Sequence, residues 1–170
     1  IKWWNTPSKL SSIQKWRLRM NKNDFVKAIM NLFKSNDVYY YGHGGIELIE
    51  KKNKKEWKKL NTMAAFMASL LEDIQFRNDP YIVKKLISDP STSIIIKIDV
   101  LEQRSNMSAD ECLGTLADYR NYIVKTKDGS LYRVFGMNYF KPQTGEISFW
   151  VTGMGKALQH FAKKKSLQEV

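Results

Sequence analysis

Lys51-Lys52-Asn53-Lys54-Lys55-Glu56-Trp57-Lys58-Lys59 opens a stretch that runs to Phe76 and turns almost wholly apolar after its ninth residue. From Trp57 onward, Leu60, Ala64, Met67, Leu71 and Ile74 recur in alternating steps of three and four, the spacing that stacks side chains along one helix face. Met63, Phe66 and Leu70 fall beside that stripe and make it wider than the seam of a two-stranded coiled coil. The spacing therefore predicts a long helix packed into a domain core, with the rest of the chain arranged around it.

The lysines at its start are the unusual feature. Cations near a helix N-terminus oppose the macrodipole, by about 0.3–1 kcal/mol each where exposed. Lys51/Lys55, Lys54/Lys58 and Lys55/Lys59 are also like-charge pairs at i,i+4, each unfavourable by about 0.2–0.5 kcal/mol, and Glu56 alone offers relief. A negatively charged partner offsets that cost. The competing reading is a solvated, lysine-rich face with no partner at all.

Charge asymmetry points the same way. The formal net charge is +11, and residues 1–60 carry fourteen Lys or Arg against five Asp or Glu, while residues 61–170 carry fourteen against twelve. A positive field concentrated in the first third attracts nucleic acid, acidic protein or anionic lipid. At 170 residues, 43% hydrophobic and 12% aromatic, the chain has the composition of one folded domain. The pattern divides it into a basic N-terminal helical region, 1–36, and an α+β core, 37–170. A lone cysteine, Cys112, excludes an intrachain disulfide framework and an all-cysteine metal cage. No apolar run reaches the roughly 18–20 residues that span a bilayer, so the expectation is cytoplasmic, or membrane-proximal if an anchor precedes Ile1 and its neighbours Trp3-Trp4.

Taken in order, Thr6-Pro7 reads as the start of a basic amphipathic helix carrying Leu10, Ile13, Trp16 or Arg17, and Met20. Asn23 caps a second helix with Phe25, Val26, Ile29, Leu32 and Phe33 on its apolar face, completing a helical pair. Val38–Tyr41 and Ile46–Lys51 form a hairpin across Gly42-His43-Gly44-Gly45. After the long helix, Asp79-Pro80 starts a short one, and Ile94–Val100 reads as a buried strand near the middle of a sheet. Ser108-Ala109-Asp110-Glu111 is a capping box opening a helix with Cys112, Leu113 and Leu116 inward. Tyr122–Lys127 and Leu131–Phe140 pair across Asp128-Gly129, and a turn at Lys141–Gly145 leads to Glu146–Thr152. Gly153-Met154-Gly155 then bends the chain into a terminal helix.

Catalytic signatures fail on inventory. His43 and His160 are the only histidines, and there is no His-Glu-x-x-His, Cys-x-x-Cys or Gly-x-Ser-x-Gly. Gly153-Met154-Gly155-Lys156 ends like a phosphate-binding loop but lacks its first glycine and its Ser or Thr. No catalytic residue, metal or cofactor is assigned. The order helix, hairpin, strand, helix after Ser108 is that of a winged helix, yet Asp110, Glu111 and Asp118 on the exposed helix face would repel phosphates. Aromatic residues of the last sheet, Trp150 above all, offer themselves as stacking platforms for single strands.

The sequence thus predicts an α+β fold with an N-terminal helical pair, a long central helix and a mainly antiparallel sheet flanked by helices. It predicts a non-enzymatic, nucleic-acid-binding protein whose contacts are Lys51, Lys52, Lys54, Lys55, Trp57, Lys58 and Lys59, joined by Lys125, Lys127 and Arg133. The alternative is a membrane-proximal module of a larger assembly, its lysines facing lipid or an acidic subunit.

Overall fold

A computed structural model describes residues 20–77 and 79–169, without the side chains of 77 and 164–169. Its helices are α1 (Lys22–Ser35), α2 (Lys54–Arg77), α3 (Ile82–Ser88), α4 (Ile98–Ser105), α5 (Ala109–Tyr119) and α6 (Thr152–Glu169). Its strands are β1 (Asp37–Gly42), β2 (Gly45–Leu48), β3 (Ser93–Lys97), β4 (Tyr122–Lys125), β5 (Leu131–Arg133), β6 (Gly136–Lys141) and β7 (Glu146–Trp150). The fold is α+β, with two antiparallel sheets ordered β2-β1-β4-β5 and β3-β7-β6. The first helix of the expected N-terminal pair falls in residues 1–19, outside the described residues.

α1 is capped by Asn21 rather than Asn23. The Asn21 side chain accepts from the Asp24 amide at 2.9 Å and the Asp24 carboxylate accepts from the Asn21 amide, so two unsatisfied donors are closed by one reciprocal pair. Phe25, Ala28, Ile29, Leu32 and Phe33 go inward, into the same core as α2, so the core is shared across position 36. Most of the stripe read from the sequence of α2 is buried: Leu60, Met63, Ala64, Met67, Leu71 and Ile74 are each at most 2% exposed, while Trp57 and Phe66 are half-buried.

Three expectations need correction. The β-branched run from Ile94 is not one central strand. Only Ser93–Lys97 is extended, at the edge of the three-stranded sheet with β7 in the middle, and Ile95 is 57% exposed while Ile94 and Ile96 are buried. At Ile98 the amide donates to the Gly145 carbonyl at 2.7 Å and the chain turns into α4, which buries Leu101. A tertiary contact thus ends the strand where propensity would continue it. The run from Leu131 to Phe140 is likewise split. β5 pairs with β4, then Val134 and Phe135 carry the chain into the other sheet as β6, where the rings of Phe135 and Phe149 lie 5.4 Å apart. Finally, Gly153 and Gly155 lie inside the first turns of α6 rather than in a bend. A Cβ on Gly153 would stand 3.0 Å from Val134 Cα, and one on Gly155 only 2.6 Å from Pro90 Cα, so both serve close helix packing.

Turn chemistry is as expected. Gly45, Gly129 and Gly145 take φ of +101°, +89° and +74° at the three hairpin turns, where a side chain would be strained. Ser108 and Glu111 form the capping box of α5, with bonds of 3.2 Å in both directions.

Candidate nucleic-acid interface

Register fixes the faces of the four-stranded sheet. Tyr40 pairs with Tyr122, and Val38 with Val124. These point inward, where the Tyr40 hydroxyl donates to Asp118 at the end of α5 at 2.5 Å and Tyr40 and Tyr122 pack edge to face. That bond to a carboxylate raises the Tyr40 pKa, and burial raises that of Tyr122. Residues one step on point the other way. Leu48, Tyr39, Ile123 and Arg133 form one row across four strands; Ile46 and Tyr41 form a second, and Asp37, Lys125 and Leu131 a third. On this outer face Tyr41, Ile46, Leu48 and Leu131 are 47–64% exposed, and Tyr39 and Ile123 are half-buried. Such a cluster exceeds the scattered apolar residues of an ordinary surface.

The ten residues singled out by sequence do not share one surface. Lys125 and Arg133 lie on the open sheet face, with Lys127 exposed in the turn beyond. Arg133 also donates to the Arg120 carbonyl at 2.6 Å, which holds its guanidinium beside β4. The lysines of α2 lie on the other side, since the start of α2 meets the inward face at Tyr40 and Tyr122.

At that helix start the lysine crowding is relieved in part from within. Asn53 caps α2, its side chain accepting from the Lys55 and Glu56 amides at 3.1 and 3.2 Å. Lys51 serves α1 instead: its amine donates to the Lys34 carbonyl at 2.9 Å, a cation placed at a helix C-terminus, where the dipole favours it. Glu47, Glu50, Glu56 and Asp118 share a depression of about 380 Å³ with Lys59. Part of the cost expected from helix electrostatics is therefore offset within the chain. Even so, among the described residues none of the six lysines pairs with a carboxylate within 4.0 Å. Lys52 and Lys54 are exposed, while Lys55, Lys58 and Lys59 line a groove beside α2. Trp57 is half-buried and packs against the core.

Of the stacking platforms expected in the last sheet, Tyr122, Phe135 and Phe149 are buried, while Tyr132, Tyr139, Phe140 and Trp150 are half-buried. The Tyr139 hydroxyl donates to Glu146 at 2.6 Å. The Trp150 indole lies directly on Gly136, so close that a Cβ there would stand 1.8 Å from the ring. Among the described strand residues Tyr41 is the exposed aromatic, at 52%, and Tyr39 beside it is half-buried, as are Tyr132, Tyr139, Phe140 and Trp150; the sequence reading places Tyr39 and Tyr41 only within a hairpin. A signal was present: Tyr39 and Tyr41 alternate on β1, and a turn closing at Gly42 and Gly45 puts Ile46 and Leu48 beside them.

Among the described residues no group of three or more His, Cys, Asp or Glu side chains is arranged to hold a metal ion. Cys112 is fully buried, its sulfur 3.3 Å from the Ser105 hydroxyl, and His43 is exposed in the β1–β2 turn. No described helix is long and apolar enough to cross a membrane. Comparison with protein-family models, curated proteins and solved structures returned no match.

Proposed function

We propose that this chain is a non-enzymatic nucleic-acid-binding protein, acting in the cytoplasm, that takes single strands on the open face of its four-stranded sheet. One observation carries the reading: Tyr39 and Tyr41 stand on a central strand of a sheet whose outer face, among the described residues, leaves Tyr41, Ile46, Leu48 and Leu131 exposed, with Lys125 and Arg133 on that same face. Unpaired bases present π-faces that stack on tyrosine, and the neighbouring cations meet the phosphates between them. A duplex hides its base faces, so the chemistry favours single strands. Ile46, Leu48, Ile123 and Leu131 supply apolar contact around the rings. The other reading, an assembly module that meets an acidic subunit, belongs to the lysines of α2 and to a separate surface.

Anisotropy of a fluorescein-labelled oligothymidine tests this. With Lys125, Lys127 and Arg133 contacting phosphates, log affinity should fall against log salt with a slope of about −2, from roughly −0.7 per contact on single strands. Exchanging the three for glutamine should flatten it. Tyr41→Ala should weaken binding by about 5- to 150-fold, the equivalent of roughly 1–3 kcal/mol for one stacked base. Salt-independent binding, equal affinity for a duplex, or no binding would remove the proposal.

A further inference from the structure

Between α2 on one side and α4 and α5 on the other runs a groove of about 950 Å³, separate from the open sheet face. Its α2 wall runs from Lys55 to Ser69, which at 1.5 Å per residue is about 21 Å, the length of a four-turn helix. Phe66, Leu70, Leu101 and Tyr119 make the floor apolar, and the rings of Phe66 and Tyr119 meet edge to face at 5.7 Å. Charge is arranged across it. Lys55, Lys58 and Lys59 stand on the α2 wall and Lys22 closes one end, whereas the α5 wall carries Glu111 and Asp118. Arg104, also at that end, is held by Asp73 at 2.6 Å.

A second observation concerns Gly114, on the α5 wall. It sits inside an α-helix without a positive φ, and a Cβ built on it meets nothing within 4 Å. Glycine there costs about 1 kcal/mol relative to alanine and serves no turn, cap or close contact among the described residues. A helical glycine on a groove wall lets another backbone approach closely, as do Ala65 and Ser69 opposite.

We infer that this groove is the docking site for an amphipathic helix of a partner protein whose apolar stripe enters the groove and whose acidic flank faces Lys55, Lys58 and Lys59. Charge decides the occupant: four ammonium groups against two carboxylates select a net acidic helix. The basic segment 1–19, with Lys2, Lys9, Lys15, Arg17 and Arg19 and no acid, is mismatched to that wall. A nucleic acid would satisfy the lysines but leave the apolar floor unfilled and bring phosphates against Glu111 and Asp118.

The test uses the full chain at about 0.15 M salt, where exposed charges more than about 8 Å apart are screened. The probe is a fluorescein-labelled synthetic peptide of about 16 residues, with leucines at helical spacing and glutamates on one flank, beside a twin with lysine for every glutamate. The glutamate peptide should bind saturably and at least about tenfold more tightly than its twin. The double variant Lys55→Glu/Lys58→Glu should weaken it by about tenfold and improve the twin, a swap that loss of structure cannot mimic. Gly114→Leu, whose side chain projects into open space, should block the glutamate peptide while circular dichroism and Tm report an intact fold. Tyr41→Ala should leave peptide binding unchanged, which separates this site from the sheet face. Equal affinity for the twins, no binding, or indifference to Gly114→Leu would overturn the inference. So would a double variant that loses oligothymidine affinity and leaves the peptide unaffected.

Discussion

Gly136→Ala is the most demanding test of the packing between β6 and β7. Gly136 opens β6 directly opposite Trp150 on β7, and a Cβ on it would lie 1.8, 2.1 and 2.3 Å from three atoms of the indole. To reach ordinary contact at 3.4 Å the ring must retreat by about 1.6 Å, from a half-buried site beside the fully buried Phe149. Overpacking of that kind costs about 1–3 kcal/mol, which for a domain of this size lowers Tm by about 2–4 °C per kcal/mol. Trp150→Ala loses the ring's own burial, so it too destabilises. Because the first penalty exists only while the ring is present, the double variant should be more stable than the two single losses together predict, with a coupling of at least about 1 kcal/mol. Urea unfolding of the four proteins, compared at constant m-value, gives all the quantities. Additivity within about 0.5 kcal/mol, or an alanine at 136 that costs nothing, would refute the placement of Trp150 over Gly136 and with it the register of β6 on β7.

Two other outcomes follow from local physics. Gly114→Ala should stabilise the protein by about 0.8–1 kcal/mol, raising Tm by about 2–4 °C, because the site is helical and open; a fall in Tm would show a hidden contact. At the tip of the β4–β5 hairpin, the Thr126 hydroxyl and the Ser130 amide donate to Asp128 and hold its carboxyl at about 2, below its ordinary 3.8. A depressed carboxylate contributes stability above the unfolded value and loses it as pH falls through the folded one, so wild type should exceed Asp128→Asn at pH 6 and the gap should close between about pH 4 and pH 2. A gap unchanged across that window in thermal melts would contradict the hydrogen bonding described.

What the sequence discloses and what it hides divide by range. α2 was legible because its apolar period holds over more than four turns, and the α5 start because Ser108 and Glu111 satisfy each other's amides within four residues. The hairpin turns were legible from glycine at positions of positive φ. The end of β3 at Ile98 was not, since it depends on the carbonyl of Gly145, 47 residues away. Nor was the passage of the chain between sheets at Val134 and Phe135, for a continuous apolar run reads the same on either side of it. The candidate sites follow the same rule. Val38–Tyr41 shows four apolar residues in a row, and only pairing with β4 reveals that Tyr40 faces inward to Tyr122 and Asp118 while Tyr39 and Tyr41 look outward. The lysines of α2 were conspicuous, but their division between a capping role for Lys51 and a groove wall for Lys55, Lys58 and Lys59 depends on where α1 and α5 lie.

Amide chemical-shift mapping during titration with a short oligothymidine reads, face by face, the proposed binding of single-stranded nucleic acid to the outer face of the four-stranded sheet. Perturbations should cluster at Tyr39, Tyr41, Ile46, Ile123, Lys125, Leu131 and Arg133, with α2 silent. Perturbations confined to Lys54, Lys55, Lys58 and Lys59, or none at saturating oligonucleotide, would contradict that proposal.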